Sequence, residues 1–394
     1  MSKNWLDWRK IIVHRESYRH RGFPVRPLLR VSHRNMLKRG EAISEEGGRM
    51  MDVKPAFLKG IEKAKASGQP LRFGGAGLRR LDAGAESGSV LDSRTHLTQL
   101  IRYEPADLLV SIESGMTLGA LNEALRQSGQ WIPVQDWQLR DTVGGMIAAG
   151  MDTPLRASYG SMAQRVLALR AWTPGFGCIS TGAPMVKNVA GYALGRLFWG
   201  SRGAFGMVTE VSFKVAPLPE AAAWWTTDHP DSGWFSSLQE LGAPWALMAW
   251  LKRGQRVQGV ALWHGSRAMV AALEKQLGPQ SLPPLAWPDD EAPYQLTGAV
   301  PLSACPSLGM DTSVAVDLLL ERQSGWFLAQ GSDLEALRHF SKRVEMVFGG
   351  AVALRGVPSW SRPFPKPMAP VYRRLRQQYD PEAMLVDPWP NVGG

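Results

Sequence analysis

Three runs decide the reading of this chain: Asp141-Thr142-Val143-Gly144-Gly145-Met146, then Pro184-Met185-Val186-Lys187-Asn188-Val189-Ala190-Gly191-Tyr192, then Gly200-Ser201-Arg202-Gly203-Ala204-Phe205-Gly206-Met207-Val208-Thr209-Glu210-Val211. Each places small residues where bare backbone must come close to something, and the last runs into a β-branched strand. Paired glycines after a threonine leave backbone N–H groups unshielded, which suits an anionic group such as a pyrophosphate. Thr142-Val143-Gly144-Gly145 alone could equally be a tight turn. The order of all three runs behind an upstream glycine loop favours a ligand site.

That loop follows a short segment that begins the ordered pattern. Asp52 can cap a helix with Phe57, Ile61 and Ala64 on one face, which Gly68 ends in the left-handed conformation. Pro70-Leu71-Arg72-Phe73 then reads as a strand delivering Gly74-Gly75-Ala76-Gly77-Leu78-Arg79. A strand followed by a glycine-rich turn can converge N–H groups on phosphate oxygens, although the same residues could close a hairpin. Downstream, Val90–Asp92, Ile101–Glu104 and Leu108–Glu113 read as strands, and Thr117 caps a helix that Gly129 stops. No Gly-x-Gly-x-x-Gly unit of a Rossmann fold occurs in this alternation.

Taken together, Gly74-Gly75-Ala76-Gly77, Thr142-Val143-Gly144-Gly145, Val186–Tyr192 and Gly203–Glu210 resemble the FAD-binding domain of the vanillyl-alcohol-oxidase type, also called PCMH-type. Within that family the similarity is to FAD-binding subunits of glycolate oxidase, and it covers residues 52–218 best. A weaker echo is Tyr379-Asp380-Pro381-Glu382-Ala383-Met384-Leu385. The resemblance implies an α+β fold: a PCMH-type two-part FAD-binding domain followed by a smaller α/β, ferredoxin-like cap domain. It implies FAD held by Gly74, Gly75, Ala76, Gly77, Leu78, Thr142, Gly144, Gly145, Ser158, Tyr159, Gly160, Gly206 and Val208, and with no His or Cys in the glycine loop to attach the flavin, non-covalent binding is expected. It also implies a small 2-hydroxy acid as substrate, and partner subunits comprising a second flavoprotein and an iron–sulfur subunit. Three positions depart from the family pattern: Leu78 replaces a phosphate-binding threonine, and Ala193 and Arg202 replace acidic residues. They keep open an alternative, a non-catalytic scaffold with weakened or lost FAD binding.

The domains implied are residues 1–50 as a basic extension, 51–219 for FAD, 220–360 as a cap for substrate or subunit contact, and 361–394 returning to the first domain. The formal charge of +10 invites a nucleic-acid reading. Residues 1–50, however, hold twelve Lys/Arg against five Asp/Glu, leaving +3 for the other 344 residues. The charge thus belongs to an extension, readable as disordered, as a basic arm for anionic surfaces, or as sequence upstream of a start at Met50 or Met51. The folded body lacks a basic motif, so no nucleic-acid partner is expected.

Two cysteines, Cys178 and Cys305, exclude a disulfide framework and fit a reducing cytoplasm. No apolar run of 18 residues suggests a membrane span, so any membrane association would be peripheral, through partners. Residues 220–360 hold nine of the sixteen tryptophans, read as core and subunit packing. Within the cap, Trp245–Trp250 and Val257–Trp263 read as paired strands, Ser266 caps a helix, and Trp326–Ala329, a helix from Ser332 to Phe348 and Ala351–Leu354 form a second set. A 2-hydroxy acid needs a cation for its carboxylate and a base for its hydroxyl. His264 and Arg355 are on offer, but neither lies in a motif, so no catalytic residue and no metal ligand is assigned.

Overall fold

The computed structural model describes residues 55–75, 89–182, 195–281, 292, 294–348, 351–355 and 368–389. The basic segment of residues 1–50, Ala76-Gly77-Leu78 and Val186–Tyr192 lie outside them.

Helix α1 (Pro55–Ser67) turns Phe57, Ile61 and Ala64 into the core, and Gly68 follows at φ +66°. This is the i, i+4, i+7 stripe of an amphipathic helix, stopped by the residue type that tolerates a left-handed backbone. Strands β1 (Leu71–Gly74) and β2 (Ser89–Asp92) pair in parallel, with Leu71 opposite Ser89. The chain then builds β3 (Leu100–Glu104), β4 (Leu109–Glu113), α2 (Leu118–Arg126) and the short β5 (Gln130–Trp131). Thr117 caps α2 through the amide of Ala120, and Leu118, Leu121 and Leu125 are buried beneath it.

Helix α3 (Val143–Ala149) and the single turns α4 (Arg156–Tyr159) and α5 (Met162–Arg165) precede β6 (Val166–Thr173) and β7 (Gly177–Gly182). After the one-turn α6 (Gly195–Phe198) come β8 (Met207–Lys214) and β9 (Ala216–Pro217). Five strands form an antiparallel sheet in the order β3-β4-β8-β6-β7. Strand β8, the β-branched end of the third run, lies at its centre.

The second unit is one seven-stranded antiparallel sheet. Its elements are β10 (Ala221–Thr227), α7 (Ser232–Glu240), β11 (Trp245–Arg253), β12 (Arg256–Gly265), α8 (Arg267–Leu277), β13 (Tyr294–Ala299), α9 (Cys305–Gly309), β14 (Asp317–Glu321), β15 (Trp326–Gly331), α10 (Leu334–Phe348) and β16 (Ala351–Arg355). The spatial order is β10-β12-β11-β14-β15-β13-β16. Strands β13 to β16 thus take the split βαββαβ order of a ferredoxin-like unit, and β10 to β12 repeat its first three strands. The two sets join through β11 and β14, where Trp250 faces Leu320.

Side chains alternate across this sheet as a strand's period of two requires. Ala261 and Trp263 of β12 face the core shared with Phe235 of α7, Leu273 of α8 and Phe340 of α10. Val260 and Leu262 face the opposite way, toward Trp131, Leu155 and Ala216 of the first unit. The sheet is therefore a middle layer, with helices on one side and the first unit on the other.

Helix α11 (Ala369–Tyr379) comes back to the first unit. Tyr379 sets its ring edge-on to Phe176, Phe198 and Phe205, at centroid distances of 5.1, 6.3 and 5.7 Å. Asp380 accepts from the amides of Met384 and Leu385, and Leu385 pairs in parallel with Leu71 of β1.

Where the structure adds to the sequence reading, local signals are weak. Thr142-Val143-Gly144-Gly145 opens a helix rather than a turn, with Thr142 as its N-cap at 3.1 Å from the amide of Gly145. Two glycines in its first turn lower helix propensity and hide it. Strands β10, β13 and β14 and helix α7 also went unread. Strand β14 is buried along most of its length, so it lacks the alternation that marks a half-exposed strand.

Candidate cofactor site

The end of β1 carries Gly74 and Gly75 to the N-terminus of α3. A Cβ built at Gly75 would stand 2.5 Å from Oγ1 of Thr142, so only a glycine lets these two backbones approach so closely. On the other flank, a Cβ at Gly203 would lie 3.3 Å from the ring of Phe73. The upstream loop, the second glycine pair and the third run therefore meet around residues 73–75. Ser93 ties this end down, its hydroxyl donating to the carbonyl of Gly74 at 3.1 Å.

The amides of α3 are largely committed within the chain. Val143 N–H donates to Met116 O at 2.9 Å, Gly144 N–H to Ser114 O at 2.7 Å, and Gly145 N–H to the Thr142 hydroxyl. Gly144 is small because it packs on Ser114, whose Cβ and carbonyl oxygen would lie 3.0 and 3.1 Å from an added Cβ. Ser114 Oγ itself is buried and has no hydrogen-bond partner among the described residues. A buried hydroxyl left unpaired costs about 1–3 kcal/mol, so a polar group arriving beside α3 has a bond to offer it. The cradle at Gly75 and the orphaned hydroxyl of Ser114 fit a pyrophosphate-bearing cofactor. Gly206, at φ +137°, lies tight against the carbonyl of Trp172 and admits no side chain. Val208 is buried opposite Ala171 of β6, and Trp172 packs edge-on to Phe73 at 6.4 Å.

Ser158, Tyr159 and Gly160 stand elsewhere, where the first unit meets the seven-stranded sheet. The hydroxyl of Ser158 donates to the carbonyl of Trp245 on β11 at 2.5 Å. The Tyr159 hydroxyl and Nδ1 of His264 on β12 are 2.9 Å apart, and both rings lie edge-on to Trp131 at 5.6 and 5.7 Å. Arg165 donates to the carbonyl of Tyr159. The family resemblance places Ser158–Gly160 near the cofactor; nothing in the sequence signals the partner His264, which lies 105 positions away in the chain.

Burial governs the protonation of this pair. It drives the His264 pKa down to about 4 and the Tyr159 pKa up to about 12. At neutral pH both are uncharged. Nearby, burial raises the carboxyl of Asp152 despite the amide of Met162 and the guanidinium of Arg156, which is 3.3 Å away. Burial also raises Glu321, fully enclosed on β14 and held by the amides of Gln323 and Ser324. Arg355 ends β16 with its backbone opposite Gln295.

Of the three departures from the family pattern, Arg202 can be placed. Its φ is +55°, its amide donates to Ala148 O at 2.9 Å, and its guanidinium lies 5.5 Å from the ring centroid of Trp389. The charge reversal is thus taken up by stacking on the C-terminal segment. Leu78 and Ala193 lie outside the described residues. Among the described residues no helix is long and apolar enough to cross a membrane.

The chain is similar to several known proteins. Residues 58–179 match the family model described as an FAD binding domain. The chain is an FAD-dependent oxidoreductase. More particularly, it resembles the glycolate oxidase subunit GlcE of Escherichia coli (strain K12), with 28% identity over 351 residues, 84% of this chain and 96% of that protein. Glycolate oxidase subunit GlcD of Bacillus subtilis (strain 168) is 31% identical over 136 residues, 34% of this chain and 29% of GlcD. A D-lactate dehydrogenase of Archaeoglobus fulgidus is 34% identical over 148 residues, 37% of this chain and 33% of that enzyme. Among solved structures, an alkyldihydroxyacetonephosphate synthase superposes with a TM-score of 0.57 at 14% identity. That match covers 80% of this chain and 71% of the synthase, and it speaks to the fold alone.

Proposed function

We propose that this chain is the FAD-binding subunit of a glycolate-oxidase-like assembly that oxidises a 2-hydroxy acid together with partner subunits. The observation that carries the reading is the near end-to-end similarity to GlcE, joined to the glycine cradle of Gly75 against Thr142. FAD, when bound, supplies the two-electron acceptor. The chain's own residues bind and shield it: the loop at Gly74 and Gly75, the Thr142 cap, Gly144 and Gly145, Gly206 and Val208, and the segment Ser158–Gly160. The inner face of the seven-stranded sheet is chiefly Leu, Val and Ala, which suits exclusion of water better than capture of a carboxylate. Residues for substrate activation are therefore assigned to a partner, a second flavoprotein accompanied by an iron–sulfur subunit.

A second reading is a scaffold subunit with weak flavin affinity. It is favoured by one observation, that the amides of Val143, Gly144 and Gly145 already donate within the chain. An absorption spectrum of the purified protein separates the two. A flavin band near ~450 nm at close to one FAD per chain supports the first, and a colourless protein that takes up no added FAD supports the second.

A further inference from the structure

We infer that His264, on the seven-stranded sheet, is a positioning residue for the cofactor-binding segment Arg156–Gly160, acting through its hydrogen bond to Tyr159. This rests on the proposal that Ser158–Gly160 contact FAD. The segment is a single helical turn, too short to hold its own shape. It is fixed from outside at three points. The Ser158 hydroxyl donates to Trp245 O at 2.5 Å, the Tyr159 hydroxyl meets His264 Nδ1 at 2.9 Å, and Arg165 donates to the Tyr159 carbonyl. Two of these three anchors belong to the second unit, so the seven-stranded sheet sets where the flavin segment stands.

The chemistry of the contact favours positioning over proton transfer. His264 and Tyr159 are both neutral, and Trp131 walls them edge-on. Hydrogen bonds in such apolar surroundings are electrostatically stronger than in water and leave little freedom to either ring. Trp131 is itself fully enclosed, so the Tyr159 ring is held between a rigid indole and an imidazole on the next unit. A displacement of the sheet by a hydrogen-bond length would carry Tyr159 with it, and with Tyr159 the backbone that leads into Gly160.

The test compares Tyr159→Phe, His264→Phe, the double variant and His264→Asn with the full-length parent. FAD dissociation constants, visible circular dichroism of bound flavin and thermal melts are measured for each. Tyr159→Phe and His264→Phe should each raise the FAD Kd about tenfold, and each should alter the flavin dichroism. The double variant should be no worse than either single one, because both remove the same bond. His264→Asn, which keeps a polar atom near the position of Nδ1, should recover most of the affinity. Unchanged Kd and dichroism in Tyr159→Phe would overturn the inference, as would fully additive losses in the double variant. If the parent takes up no FAD, the functional reading itself is wrong and this inference falls with it. Should His264→Phe fail to fold, Tyr159→Phe, which removes one oxygen atom, decides the matter with His264→Asn.

Discussion

Gly75 and Thr142, 67 positions apart in the chain, approach until a single added methyl group would sit 2.5 Å from the threonine hydroxyl. Gly145 closes the same corner, its would-be Cβ 2.8 Å from that hydroxyl. Gly75→Val or Gly145→Val should therefore displace the Thr142 cap and fill the approach to the cofactor. We expect FAD affinity to fall more than tenfold, about 1.4 kcal/mol or more, by flavin fluorescence titration. A Gly145→Val protein that binds FAD like the parent would show that the site lies elsewhere.

The flavin should be held without a covalent bond. Cys178 is half-buried in β7, across from Trp172, and Cys305 is buried in the second unit with its thiol pushed up to about 11 by burial. The Cys305 thiol is therefore not an activated nucleophile. Acid precipitation should leave the yellow colour in the supernatant, and colour in the pellet would contradict this.

Acid should loosen the contact between the two units. His264 has a folded pKa of about 4 against an ordinary value near 6.5, so the unfolded chain binds more protons between those values. Stability is then complete above about pH 6.5 and is lost as pH falls toward 4, by on the order of 2 kcal/mol from this group. Thermal melts from pH 7 to pH 4.5 should show the decline, and His264→Phe should flatten it. A parent and variant with parallel profiles would remove His264 as the cause.

Turnover by the isolated chain should be poor. The sheet face turned toward the first unit carries Leu251, Val260, Leu262, Leu319 and Leu328, and its titratable groups His264 and Glu321 are already engaged by Tyr159 and by the amides of Gln323 and Ser324. Assay with glycolate or lactate and an artificial acceptor is the measurement. Robust activity from this chain by itself would mean that it holds a substrate-activating pair.

Residues 1–50 should be dispensable for the fold. The stripe of Phe57, Ile61 and Ala64 begins after them, and they supply +7 of the formal +10 charge. A protein starting at Met51 should melt and bind FAD like the full chain, and any salt-sensitive adhesion to nucleic acid should disappear. Loss of folding on truncation would show that the segment packs on the body.

The sequence was most legible where one side chain does one local job. Thr117, Ser266 and Gly68 mark helix ends as capping chemistry requires, and each stands where expected. The glycine runs were legible as close-approach sites, but not what they approach. Gly144 meets Ser114 and Gly206 meets Trp172, contacts within the chain that spacing cannot reveal. The Tyr159–His264 pair was illegible for a different reason. A lone histidine beside a tryptophan gains meaning only when another unit brings a hydroxyl to it. Likewise Trp263 and His264, adjacent in sequence, face opposite sides of one sheet and enter different cores.

The pairing of Leu385 with Leu71 has a consequence in time. The amide of Leu71 donates to Met384 O at 2.5 Å, and that of Val386 donates to Leu71 O at 3.1 Å. Strand β1, the support of the glycine loop, is thus bonded to residues synthesised more than three hundred positions later. On the ribosome, the first unit emerges with this edge open and waits for nearly the whole chain before closing it. Cofactor loading is accordingly expected late in biogenesis, and a chain interrupted before Leu385 would leave the tunnel with β1 lacking this partner.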